Sequence, residues 1–194
     1  GSTDELAAVL RTCHAHRQPV VVHGGLTGLV HGADTTPAEL VISTERMRLI
    51  EEIDPGQRVA VVQAGVTLQA LQEAADAKGL AFPLDLGARG SATLGGNAST
   101  NAGGNRVVRY GMTRDMILGL EAVLADGTVV SSMNRLIKNK AGYDLKQLFI
   151  GSEGTLGVIT RLVLRLREKP ARQDVALVAV PGFEELAALL KHMD

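Results

Sequence analysis

Between Pro83 and Gly104 the chain reads PLDLGARGSATLGGNASTNAGG, and no other stretch narrows its folding options as far. Gly87, Gly90, Gly95, Gly96, Gly103 and Gly104 fall within it. Glycine loses more conformational freedom on folding than any other residue, so such a cluster needs a compensating reason. The usual one is close approach of backbone N–H groups to a ligand or to another strand. Regular structure here is limited to one helical turn near Gly96–Thr100. The neighbours Ser91, Thr93, Ser99 and Thr100 are small and polar. Asn97 and Asn101 each offer an amide donor pair and an acceptor, which suits the edge of a flat ring carrying carbonyls and ring nitrogens. The alternative is a set of Asx-turns bonding their own backbone.

A second glycine cluster lies upstream, in VVVHGGLTGLVHGA. It follows a β-branched run, so a dinucleotide-binding fingerprint has to be weighed. That motif needs a helix starting inside the glycines. Here Leu29, Val30, His31 and Gly32 lead into Asp34-Thr35-Thr36-Pro37 with no amphipathic helix, which excludes it. Successive N–H groups in glycine-permitted conformations form an anion-holding nest without a helix, and Thr27 adds a hydroxyl. A tight crossover between two strands is the competing reading. Two glycine loops in one chain imply an extended ligand gripped at two places.

The remaining pattern predicts an α/β alternation. Ser2 and Glu5 are spaced as a capping box for a helix ending near Arg17, with Leu6, Val9, Leu10 and Cys13 on one face. Val20–Val22 reads as a buried strand and Glu39–Ser43 as another, completing a unit near Ile53. Asp54-Pro55-Gly56 is a turn, residues 59–64 a strand, and Thr67 the cap of a helix through Lys78 that Gly79 stops. Ile117–Ala125 and Thr128–Ser131 form a hairpin, with Asp126-Gly127 predicting a type I′ turn. Asp144 caps a short helix through Phe149. Leu156–Arg167 alternates as a half-buried strand with basic residues outward. After Lys169-Pro170, Val175–Val180 reads as a strand, followed by a helix from Phe183.

Composition removes several function classes. The 194 residues carry 20 basic and 21 acidic side chains and 3% aromatics, with no basic stripe, so nucleic-acid binding has no support. No apolar run reaches the length of a membrane span. Cys13, the only cysteine, allows neither an internal disulfide nor a cysteine metal cluster, and its register reads as a buried inert thiol. His14, His16, His23, His31 and His192 lack the spacing of a metal site. Arg106, Arg109 and Arg114 read as solvated arginines rather than guides for an anion. Gly1-Ser2 resembles a cloning scar, and the sequence stops just after an amphipathic pattern, as a piece of a longer protein would. The expected location is cytoplasmic, with targeting unreadable from such an N-terminus.

Taken in order, PLDLGARGSATLGGNASTNAGG, GLEAVLADGTVV and GYDLKQLFIGSEGTLGVIT resemble the FAD-binding domain of the vanillyl-alcohol oxidase type (PCMH-type). Within it the chain is most similar to D-2-hydroxyglutarate dehydrogenases, D-lactate dehydrogenases and glycolate oxidase subunits. The likeness runs from about Pro19 to Lys169.

It implies an α+β fold of two α/β subdomains with FAD between them: residues 1–53, residues 54–170, and from 171 to 194 the start of a substrate domain. His23, Gly24, Gly25, Leu26, Thr27, Gly28, Leu29 and Val30 match the pyrophosphate loop. Pro83, Asp85, Gly90, Ser91, Gly95, Gly96, Asn97, Asn101, Gly103 and Gly104 match the residues lining the rest of the cofactor. Gly154, Gly157, Val158 and Ile159 match a late motif. Leu26 stands where members with histidyl-linked flavin carry histidine, which implies non-covalent FAD. Tyr143 would pack beside the flavin or in the core.

The implied reaction oxidises a small D-2-hydroxy acid by hydride transfer to flavin N5, with catalytic base, metal and carboxylate-binding groups all in the substrate domain. No catalytic residue or metal ligand is therefore assigned within this sequence. The electron acceptor is not readable. Apolar surface left by a missing domain would promote self-association. A non-catalytic FAD- or nucleotide-binding module is the alternative, and a sugar-phosphate-binding domain a weaker one.

Overall fold

A computed structural model describes residues 1–193; Asp194, the end of the third expected unit, lies outside the described residues. Helix α1 spans Thr3–Ala15. The Ser2 hydroxyl accepts the Glu5 N–H at 3.2 Å, and the Glu5 carboxylate accepts the Ser2 N–H at 3.1 Å. Leu6, Ala7, Leu10 and Cys13 are buried, but Val9 lies at the rim of this narrow stripe and is 42% exposed. Strands β1 (Val20–His23) and β2 (Leu40–Ser43) pair in parallel and are joined by the first glycine loop. β1 is half-buried along its length rather than buried, since this two-stranded unit covers it incompletely.

The larger unit is an antiparallel sheet. Its strands are β3 (Ile50–Asp54), β4 (Val59–Gln63), β6 (Ile117–Val123), β7 (Val129–Ser132) and β8 (Val158–Arg165), in the order β3-β4-β8-β6-β7. Two shorter strands, β5 (Leu80–Ala81) and β9 (Arg167–Glu168), pair separately. Helix α2 (Leu68–Asp76) is capped by Thr67 and buries Leu68, Leu71 and Ala75. Fully burying a leucine contributes roughly 1.5–3 kcal/mol. The short helices are α3 (Leu94–Ser99), α4 (Val107–Tyr110) and α5 (Lys146–Phe149), with a 3-10 turn at Thr113–Met116. Helix α6 (Phe183–Met193) ends the described chain.

Several expectations are corrected. Ile50–Asp54, the close of the first expected unit, pairs with β4 as an edge of the larger sheet. β8 has a bonding neighbour on each edge and is packed on both faces, through Leu162 and Leu164 on one and Val163 on the other, so only Arg161 and Arg165 are partly exposed. The β6–β7 connection is not type I′. Only Gly127 has positive φ, at 82°, with Gly127 N–H bonded to Leu124 O and Leu124 N–H to Thr128 O, as in a type I turn closed by a glycine bulge. The Asp144 carboxylate caps no backbone; it accepts from Lys146 Nζ and from Gln147 Nε2. Val175–Val180 forms no strand, for it finds no pairing edge, and Val175 is 93% exposed.

The main core stacks α2, α3 and α5 on one face of this sheet, through Leu71, Leu94, Ala98, Phe149, Ile159 and Leu162. A smaller core joins α1 to the sheet and to β1 and β2 through Leu6, Leu10, Val123 and Val158. A polar link fastens the same joint: Glu121 Oε1 accepts from Thr3 Oγ1 at 2.7 Å and from buried Thr160 at 2.8 Å.

Candidate functional site

β1 delivers the chain to the first loop at His23. Its carbonyl accepts the Thr44 N–H at 3.0 Å, and its Nε2 lies 2.9 Å from Ala33 O, tying the loop's base together. At the far end Thr36 donates to the Glu39 carboxylate through its hydroxyl, at 2.6 Å, and its N–H, at 2.7 Å. These bonds, the hydroxyl's first, hold the Glu39 carboxyl below its usual range. Between these anchors, Leu26 and His31 adopt left-handed φ values of 53° and 60°. Among the described residues, no N–H from Gly24 to Ala33 donates to a protein acceptor. Leu26 to Val30 are all exposed, and no lysine or arginine occurs between Gln18 and Glu45. The loop therefore presents backbone donors without a cationic side chain.

The second segment meets the first at its glycines. A methyl on Gly24 would stand 2.6 Å from Thr93 Oγ1, and one on Gly25 would overlap the Ser91 carbonyl oxygen. Thr93 caps α3 by accepting the Gly96 N–H at 3.3 Å. Gly95 donates to Ala64 O at 2.8 Å, and a methyl there would come within 2.6 Å of Ala64 Cβ, so α3 starts in direct contact with the end of β4. Asn97 is 4% exposed, and its Nδ2 is buried without a partner among the described residues. Asn101 differs: at φ 47° its Oδ1 accepts the Arg114 N–H at 2.9 Å, a long-range bond rather than a local Asx-turn.

Pro83 is buried; Asp85 is half-buried and lies 3.6 Å from Arg106 Nε. Gly104 packs on the Asp85 carbonyl and Gly103 on the Met112 sulfur. Gly90 and Ser91 are exposed. The N–H groups of Asp85 to Gly90, Gly103 and Gly104 also donate to no protein acceptor among the described residues.

The late motif closes the arrangement. Gly151 N–H donates to Ala98 O at 3.0 Å and Glu153 N–H to Ser99 O at 2.9 Å, docking this loop on the end of α3. Gly151, Glu153 and Gly154 have φ of 84°, 52° and 80°. A methyl on Gly154 would lie 3.6 Å from Val22, and one on Gly32 would lie 2.9 Å from Glu153 Oε2, so this loop also reaches the first. Val158 lines a cavity of about 620 Å³ together with Leu10, Cys13, Val20, Val22 and Gly154. Gly157 packs on Phe149 and the Val123 carbonyl as part of the strand frame. The Ile159 side chain alternates to the opposite face, into the main core, so only its backbone stays in the candidate set.

Three segments distant in sequence thus converge on α3. Periodicity gave no sign of the part played by Thr93, Glu153 or Arg114; only the Thr93–Gly96 spacing, a capping pattern, pointed to the first of them. Tyr143 is 95% exposed and packs in no core. Arg109 lies 5.2 Å above the Tyr110 ring. Among the described residues no cluster of three His, Cys, Asp or Glu side chains could hold a metal, and no helix is long and apolar enough to cross a membrane.

Comparison with known proteins agrees with this geometry. Residues 1–132 match the family model described as "FAD binding domain". The mitochondrial D-2-hydroxyglutarate dehydrogenase of Bos taurus is 48% identical over 185 residues, 95% of this chain and 34% of that protein. Glycolate oxidase subunit GlcD of Bacillus subtilis (strain 168) is 40% identical over 186 residues, 96% of this chain and 40% of that one. The chain therefore spans between a third and two fifths of these relatives. Among solved structures, an alkyldihydroxyacetonephosphate synthase superposes with a TM-score of 0.75 at 24% identity, over 87% of this chain and 33% of that one, and so shares the fold.

Proposed function

This chain belongs to the FAD binding domain family, and from that premise we propose that it is the coenzyme-holding part of a flavoprotein dehydrogenase acting on a small D-2-hydroxy acid. The observation that carries the reading is the run of unpartnered N–H groups from Gly24 to Ala33, laid against α3 at Gly24 and Gly25. Such a run supplies partial positive charge and directed donors for a diphosphate without a lysine or arginine. Asn97 Nδ2 adds a second indication. A buried, unsatisfied amide costs about 1–3 kcal/mol, and an acceptor on a heteroatom-rich ring would relieve it.

In this reading the His23–Val30 backbone holds the pyrophosphate. The amides around Asp85–Ser91 and Gly103–Gly104, with Asn97, line the ring system. Gly154 and Val158 border the cavity that takes an apolar or aromatic portion. Bound FAD would supply the two-electron acceptor for oxidation of the hydroxy acid to a 2-oxo acid. This chain's residues bind and orient the coenzyme. The groups that bind substrate, take up its proton and hold any metal are read as lying beyond residues 1–193. Residues 1–49 and 50–170 are the two halves of the grip in this proposal, with the region from 171 opening the substrate domain.

Leu26 has no nucleophilic atom, and both other histidine rings of the loop are engaged, His23 with Ala33 O and His31 with Asp34 at 3.0 Å. Non-covalent attachment follows in this reading. After saturation with FAD and acid precipitation, the yellow colour should stay in the supernatant. Titration of the chain with FAD should give saturable quenching of flavin fluorescence. Asn97→Leu should weaken binding about tenfold while leaving the ligand-free protein as stable or slightly more so, by up to ~1 kcal/mol. Absence of saturable binding to the wild-type chain defeats the reading.

A further inference from the structure

Arg114 lies in the 3-10 turn Thr113–Met116, which is pinned to the second glycine segment: Thr113 donates to Ala102 O from its N–H at 3.0 Å and its hydroxyl at 2.7 Å. From there the Arg114 backbone N–H donates to Asn101 Oδ1 at 2.9 Å, fastening the left-handed residue that ends α3. Its side chain runs the other way. Nη1 donates to the Gln147 carbonyl at 3.2 Å and to Gln147 Oε1, and Nη2 donates to Ile150 O at 2.7 Å. Gln147 lies within α5, and Ile150, the residue that caps its C-terminal end, immediately precedes Gly151. No carboxylate pairs with Arg114 among the described residues, so its charge is spent on neutral acceptors. A guanidinium presents its donors in a rigid planar fork that can meet these acceptors together; an ammonium cannot.

We propose that Arg114 is a positioning residue that sets the spacing between α3 and the late glycine loop, and through it the affinity of the site. One residue grips both partners of the contact formed by Gly151 N–H with Ala98 O and Glu153 N–H with Ser99 O. The affinity part rests on the FAD reading given above; the latch itself does not.

The test compares Arg114→Ala and Arg114→Lys with Arg58→Ala, which removes an exposed arginine paired with Glu168 and bonded to neither α3 nor the late glycine loop. Hydrogen exchange of the Gly151 and Glu153 amides is followed, together with FAD titration. Arg114→Ala should speed exchange of both amides about tenfold and weaken FAD about tenfold, as loss of charge-assisted bonds would do. Arg114→Lys, which keeps the charge and the fold but not the fork, should restore neither. Arg58→Ala should move neither. Unchanged protection of both amides in Arg114→Ala and Arg114→Lys overturns the latch. Faster exchange with unchanged FAD affinity overturns the link to the ligand. If the wild-type chain binds no FAD, the coenzyme reading fails while the exchange data still decide the latch.

Discussion

At the residue scale, the site rests on places where a β-carbon has no room and on others where nothing in the protein forbids one. Gly25 is of the first kind, since any side chain would meet the rigid Ser91 backbone. Gly28 is of the second: nothing lies within 4 Å of a methyl placed there, and its φ is not left-handed. Gly25→Ala should therefore lower stability by about 1–3 kcal/mol and abolish tight FAD binding together. Gly28→Ala should leave the ligand-free melting temperature unchanged and weaken only FAD binding, because in the proposed binding mode the space it fills is the ligand's. Thermal melts with and without FAD separate the two. The sequence made both glycines conspicuous but could not rank them, since the difference lies in what the second segment places opposite each.

At the element scale, legibility followed locality. The capping box of α1, the Thr67 cap of α2 and the left-handed stop at Gly79 are written within a few residues of each other, and all three formed as read. β3 escaped notice because IEEID shows little alternation; β4 alone makes it a strand. β8 was misjudged for the same kind of reason: its arginines suggested an exposed face, but cross-sheet pairing of Arg161 with Glu51 and Glu121 lets that face be covered. Asn97 and Asn101 look alike in sequence, but the first is buried within α3 and the second lies past its end in left-handed geometry, bonded to the Arg114 N–H.

Hydrogen bonds and ion pairs to surface carboxylates also set the acid response. Glu52 is held below its usual range by hydrogen bonding to Arg135, Asp126 by the Thr128 backbone, Asp144 by Lys146 and Glu39 by Thr36. Each folded-state value lies below the unfolded one, so the stabilisation is complete above the ordinary carboxylate range and is lost as pH falls through the lowered values. The melting temperature should be flat from pH 7 to about 5 and decline modestly below about 4, since these carboxylates lie at the surface.

At the scale of the whole molecule, residues from about 171 contribute little to the rest. α6 buries none of its side chains, and Leu177 and Phe183 stand almost fully exposed. Ending the chain at Pro170 should change the melting temperature by less than about 2 °C and reduce concentration-dependent self-association in sedimentation experiments, because it removes the exposed apolar side chains Val175, Leu177 and Phe183. A large drop in melting temperature would show that this segment packs on the folded body.

The strand that comes latest among the long ones, β8, occupies the middle of its sheet, with β4 and β6 on either side and the third glycine loop at its entrance. During translation, β4 and β6 cannot be joined, and the frame of the proposed site stays incomplete, until that strand has left the ribosome. A nascent chain shorter than roughly the position of Arg165 thus offers passing nucleotides no shaped surface, and flavin loading waits for long-range closure, the slow step expected of non-local pairing.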